Sequence, residues 1–121
     1  MASELRVNTL KDAAGNNSVG MEYVANGSEK CWINFSGSAL AIQDSFNVSS
    51  LADVSAGKQR VNYSSSAANT NYTARHGSNT WHTLISFGNK ATSSNQVFTA
   101  GNTHSFSDTS EIDYGFLGDL A

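Results

Sequence analysis

The chain has no proline, a single cysteine and only 14% charged residues. Each shortage excludes something. One cysteine, Cys31, cannot close an intrachain disulfide, so no disulfide framework holds this fold. It sits in the apolar run Cys31-Trp32-Ile33-Asn34-Phe35, where a thiol behaves as a small buried hydrophobe. Disordered segments are usually rich in proline and charge, and this sequence is poor in both. Its two Trp, six Phe and four Tyr supply the large side chains from which a core is built. In place of charge stand Ser, Thr, Asn and Gly, together roughly two residues in five and far above ordinary usage. The composition describes an ordered, turn-rich domain.

Other absences narrow the function. No apolar run approaches the length of a membrane-spanning helix. The first residues, Met1-Ala2-Ser3-Glu4-Leu5-Arg6, lack the apolar segment of a signal peptide. The expectation is assembly in a cytoplasm, without membrane insertion. The net charge is −3, with seven Lys and Arg along the chain. Only Lys58 and Arg60 are close together, at a spacing that puts them on one solvated strand face. Nucleic-acid binding needs clustered cations to displace phosphate counterions, so no nucleic-acid partner is expected. Six Asn-x-Ser/Thr sequons, at Asn16, Asn26, Asn34, Asn47, Asn62 and Asn71, carry little weight without a secretion signal.

What is present reads as β-structure. The 121 residues are one domain's worth of length, and no stretch holds a helical period over a dozen residues. Alternation and turn signals recur at short intervals instead. Leu5, Val7 and Thr9 alternate as a first strand. Val19, Met21 and Tyr23 make a second, and Asn26-Gly27 predicts a hairpin into Cys31, Ile33 and Phe35. Leu40, Ile42, Asp44, Phe46 and Val48 form the longest alternating run. Asp44 interrupts it and belongs at a boundary or in a hydrogen bond, because a lone buried carboxylate is costly. Arg60 to Tyr63 returns after Ala56-Gly57, and Ser64 to Asn71 is a loop. Tyr72 to His76 and Trp81 to Phe87 form a hairpin across Gly77-Ser78-Asn79. Short strands follow around Val97 to Thr99, His104 to Ser107, and Ile112, Tyr114 and Phe116. The expected fold is all-β, a β-sandwich or jelly-roll-like domain of about 8–10 short strands. No aromatic occurs before residue 20, which marks residues 1–20 as an extended N-terminal arm and 21–121 as the sandwich.

No catalytic constellation emerges. The HExxH, P-loop, GxGxxG and GxSxG patterns are absent. His76 and His82 flank a turn and could face each other, but no nearby acid or cysteine completes a metal set. No two of the scattered carboxylates have a reason to pair across a cleft. The chain is therefore read as non-enzymatic, with no metal and no cofactor. A binding surface is the remaining class. Tyr72, Arg75, His76, Trp81 and His82 bring aromatic and polar groups near one loop, as sugar binding by stacking and hydrogen bonding requires. Against this, large aromatics in small domains are mostly buried.

Three segments resemble a known family. Cys31-Trp32-Ile33-Asn34-Phe35-Ser36-Gly37, Ala41-Ile42-Gln43-Asp44-Ser45-Phe46-Asn47-Val48-Ser49-Ser50-Leu51 and Arg60-Val61-Asn62-Tyr63 are similar to a module of tail-fibre-like proteins of marine bacteriophages. There a pattern such as A-W-V-N-F-N-G-T precedes I-R-D-S-F-N-V-S-S-I and Y-T-V-N-F. Gln43 stands where that family often has Arg. Ile112 to Asp119 resembles the family's closing strand, and Ser3 to Ser18 its N-terminal segment; Ala67 to Asn102 does not align with it. The resemblance implies a virion protein assembled in the host cytoplasm. It implies a homotrimer that attaches to another virion protein through the N-terminal arm and touches host surface polysaccharide. A capsid decoration protein (head fibre or cement) and a stand-alone carbohydrate-binding module are the alternatives.

Overall fold

Apolar residues alternate along Cys31–Phe35 and again along Ile112–Phe116, and the two segments lie side by side in one sheet. The structure, a computed structural model, describes residues 3–79, 84–101 and 103–121. In chain order these form β1 (Thr9–Lys11), β2 (Ser18–Gly20), α1 (Met21–Gly27), β3 (Glu29–Ser36), β4 (Ala41–Phe46), β5 (Val48–Ser55), β6 (Lys58–Tyr63), β7 (Thr73–Ser78), β8 (Leu84–Gly88), β9 (Ser94–Ala100) and β10 (Ile112–Leu117). Two four-stranded antiparallel sheets result, in the orders β4-β3-β10-β7 and β5-β6-β9-β8, while β1 and β2 pair as a separate hairpin. The all-β, sandwich-like fold is as expected.

Strand alternation sorts the core. Cys31, Ile33 and Phe35 of β3, with Ile112, Tyr114 and Phe116 of β10, turn inward and are at most 2% exposed. Val61 and Tyr63 of β6 and Val97 of β9 meet them from the second sheet. Burial of each large apolar side chain contributes about 1.5–3 kcal/mol. The same interior holds Gln59, Asn95 and Thr99, all fully buried, so it must be hydrogen-bonded to be stable.

Thr99 Oγ1 donates to the Ser107 carbonyl at 2.7 Å and Gln59 Nε2 to Asp108 at 3.1 Å, while a directed chain of hydroxyls serves Asn95. Asn95 Nδ2 donates to the Tyr114 hydroxyl at 3.0 Å, and the Tyr63 and Tyr114 hydroxyls lie 2.7 Å apart. Tyr63 donates its one proton to the Tyr72 hydroxyl at 3.2 Å. Tyr114 must then donate to Tyr63. Tyr72 ends the chain on the carbonyls of Ala91 at 3.1 Å and Ser94 at 3.3 Å. Every hydroxyl donates once and accepts once.

The run read as one strand, Leu40 to Val48, is two. Asn47 adopts φ 57°, and the chain passes there from the edge of the first sheet to the edge of the second. Alternation continues across the corner, which hid it. Asn47 pins the corner through Nδ2 to the carbonyls of Lys30 (2.9 Å) and Ser65 (3.1 Å), and its Oδ1 accepts from the Ser65 amide at 2.6 Å. Asp44 is exposed, and its carboxylate accepts from the Ser45 amide.

Other expectations are corrected. Met21–Gly27 is helix rather than strand. Asn26-Gly27 ends that helix because the chain beyond it pairs with β4 and β10, leaving no preceding strand for a hairpin. Ser28 Oγ donates to the Val24 carbonyl at 2.7 Å, and Lys30 Nζ to the Ala25 and Ser28 carbonyls, satisfying helix-end acceptors. β7 and β8 belong to different sheets and form no hairpin. The first strand is Thr9–Lys11, C-terminal to the Leu5–Thr9 run, since its partner is Ser18–Gly20. His104 to Ser107 contributes only a single bridge, Phe106 to Ala100.

Candidate interaction surfaces

Directly opposed residues in an antiparallel sheet share a face. Because Ile33, Phe35 and Tyr114 point inward, Trp32, Asn34, Asp113 and Gly115 point out. The outer face of β4-β3-β10-β7 then reads in rows. One row runs Arg75, Gly115, Trp32, Phe46, and the next Gly77, Asp113, Asn34, Asp44. Trp32 is half-buried and Phe46 is 54% exposed. Gly115 leaves room that the Glu29 carboxylate occupies, since a Cβ there would lie 2.5 Å from Glu29 Oε1 and 2.9 Å from the Cys31 carbonyl.

Arg75 binds Glu29 through both Nε and Nη2, the latter at 3.0 Å. That bond raises the guanidinium's pKa further above its ordinary value. The remaining acids of the face gather around amides. Asn34 Nδ2 donates to Asp113 at 2.7 Å and to Glu111 at 3.3 Å, and Asn79 Nδ2 to Glu111 at 3.0 Å. Among the described residues, the one ion pair on this face is Glu29–Arg75. Asp44, Asp113 and Glu111 therefore leave it acidic beside two aromatic rings.

The outer face of the other sheet has the opposite sign. Lys58, Arg60 and Asn62 project from β6 beside Gln96 and Phe98 of β9. Lys58 Nζ lies 4.3 Å from the centre of the Phe106 ring and 5.9 Å from that of Phe98. The two rings meet edge to face at 6.0 Å, and Phe106 is 52% exposed. The sequence expectation that Lys58 and Arg60 share a strand face is met.

Of the five residues expected to form a ligand site, the three that are described do not form one patch. Tyr72 is only 3% exposed, packed against Phe116 at 4.6 Å between ring centres, with its hydroxyl committed to the internal chain. It is a core residue, and the ligand role is corrected accordingly. Arg75 is on the outer face. His76, the next residue, lies opposite Tyr114 on the other side of the sheet, where partial burial lowers its pKa. Trp81 and His82 lie outside the described residues. The outward residues Trp32, Asp44, Phe46 and Asp113 lie outside the expected ligand set, although the alternation that buries Cys31, Ile33 and Phe35 also turns Trp32 and Asn34 out.

Among the described residues, no three His, Cys, Asp or Glu side chains are arranged to hold a metal ion, and no helix is long and apolar enough to cross a membrane. Compared with protein-family models, with curated proteins and with solved structures, the chain finds no match.

Proposed function

We propose that this chain is a non-enzymatic structural protein of a bacteriophage virion, a tail-fibre-like appendage component. Its N-terminal unit attaches to another virion protein, and its sandwich projects outward, in contact with further copies and with host surface polysaccharide. The observation that carries this reading is the division of the chain. The sandwich closes its own core through the Tyr63–Tyr114 contact. The segment before it forms a separate hairpin and short helix that leave Leu5 80%, Leu10 42% and Tyr23 70% exposed. Apolar side chains left outside the core are what a docking segment offers. The resemblance of Cys31 to Tyr63 to tail-fibre-like modules supplies the biological setting. The non-enzymatic part is supported by the acids of the outer face, which are tied to Asn34, Asn79 and Arg75 rather than aimed across a cleft.

The test is incorporation. Leu5→Ser, Leu10→Ser and Tyr23→Ser together should leave the melting temperature unchanged and remove the protein from purified particles. Incorporation equal to that of the unaltered chain would reject the attachment role. Copy number separates an appendage, with few copies per particle, from shell decoration, with hundreds.

A further inference from the structure

We infer that copies of this chain stack head to tail, the acidic outer face of β4-β3-β10-β7 in one copy covering the basic outer face of β5-β6-β9-β8 in the next. The inference rests on the proposed self-association of the virion module and names its interface. Charge complementarity is the first support. Asp44, Asp113 and Glu111 lie on one face, and Lys58 and Arg60 on the other. Pairing either face with its own copy would oppose like charges, which is costly once water is excluded.

The apolar groups match as well. Trp32 and Phe46 on one side and Phe98 and Phe106 on the other offer ring surfaces that pack at an interface. Lys58, already over two rings within its own chain, sits where a cation can also meet the Trp32 face of a neighbour.

Area sets the strength. Four strands about 4.8 Å apart and about six residues long at about 3.3 Å each give a face of roughly 400 Å². Two such faces total roughly 800 Å², below the roughly 1,200–2,000 Å² of stable specific interfaces and within the range of weak, transient ones. A single contact is therefore weak and reversible, whereas every interior copy of a stack makes two. The outer faces of a sandwich point in opposite directions, and a flat contact between opposed faces does not turn back on itself. A heterologous contact that does not close propagates as an open column.

Sedimentation of the chain across a range of concentrations tests this. The mean mass should rise with concentration and fall with added salt. Lys58→Glu with Arg60→Glu should weaken association by roughly 30-fold or more. Asp44→Lys with Asp113→Asn should do the same, and Asp113→Asn keeps the acceptor that Asn34 uses. Unchanged thermal midpoints show that both variants fold. Mixing the two should restore association, because each retains the face the other has lost. An unaltered chain that stays monomeric, a variant that associates like the unaltered chain, or a mixture that stays monomeric would overturn the inference. A closed trimer that survives both variants would overturn the column and leave the virion proposal, tested by incorporation into particles, standing.

Discussion

The hydroxyl of Tyr63 on β6 lies 2.7 Å from the hydroxyl of Tyr114 on β10, and this contact joins the two sheets through the centre of the core. It exists because Asn95 supplies the donor for Tyr114 and Tyr72 receives the proton of Tyr63. Replacing Tyr114 by Phe takes a partner from both neighbours, although Tyr63 keeps its bond to Tyr72. Asn95 is fully buried, and its Oδ1 already has no hydrogen-bond partner among the described residues, so losing the partner of Nδ2 leaves the whole amide unpaired. Chemical denaturation should show Tyr114→Phe destabilised by about 2–3 kcal/mol. Adding Asn95→Leu should cost less than the sum of the two single changes, since the orphaned amide goes with it.

The same hydroxyls set the alkaline limit. Burial, the largest cause, raises the pKa of Tyr63, Tyr72 and Tyr114 above the ordinary phenol value of 10.0. A group whose pKa is raised on folding contributes stability that is present below its unfolded value and lost as pH rises above it. Stability measured by denaturant should therefore hold up to about pH 10 and fall beyond it. Absorbance at the phenolate band should show these three tyrosines ionising only together with unfolding.

Asn47 separates backbone strain from hydrogen bonding. Its φ of 57° suits Asn or Gly, and its side chain makes three hydrogen bonds that tie β3 and the Ser65 loop to the corner. Asn47→Ala should cost about 2–4 kcal/mol, because it loses both contributions. Asn47→Gly keeps the backbone freedom and should cost less. Equal losses for the two variants, measured by thermal unfolding, would mean that the hydrogen bonds alone matter.

Gly57 is required for a different reason. Its φ is 69°, and a Cβ there would lie 2.4 Å from the Thr99 carbonyl oxygen and 2.6 Å from the Ser107 amide. Its own amide donates to Asp108 at 2.8 Å, beside the Gln59 side chain at 3.1 Å. Gly57→Ala should destabilise by about 2 kcal/mol or more. The loop around Phe106 should lose its hydrogen-exchange protection first.

Cys31 reports on opening of the core. Burial, reinforced by the nearby Glu29 charge, pushes its thiol up to about 12, so little thiolate forms at neutral pH. A thiol reagent at pH 8 should not react with the folded protein and should react rapidly once denaturant unfolds it.

The parts of this architecture legible in the sequence are those where one strand has one buried face. Cys31, Ile33 and Phe35, and Ile112, Tyr114 and Phe116, announce themselves by alternation. What the sequence hid depends on distant partners. Tyr72 sits in a polar stretch, Ser64 to Thr73, and reads as a surface aromatic; only Tyr63, Phe116 and the Ala91 carbonyl, brought in by folding, make it a core residue. The corner at Asn47 lies inside an unbroken alternation because a single left-handed residue changes direction without changing the pattern. Arg75 and His76 are adjacent in the sequence and so suggest one patch, but neighbours on a strand face opposite ways. The opposed charge of the two outer faces is visible only once the register sets Asp44, Asn34 and Asp113 in one row.

The central claim is that this chain is built into a phage particle through its N-terminal unit. Gold-labelled antibody against the sandwich, applied to intact purified particles and imaged by electron microscopy, tests it most directly. The account predicts label at a defined appendage, lost when Leu5, Leu10 and Tyr23 are replaced by Ser. Particles without label, with the protein recovered only in the unassembled fraction, would contradict it.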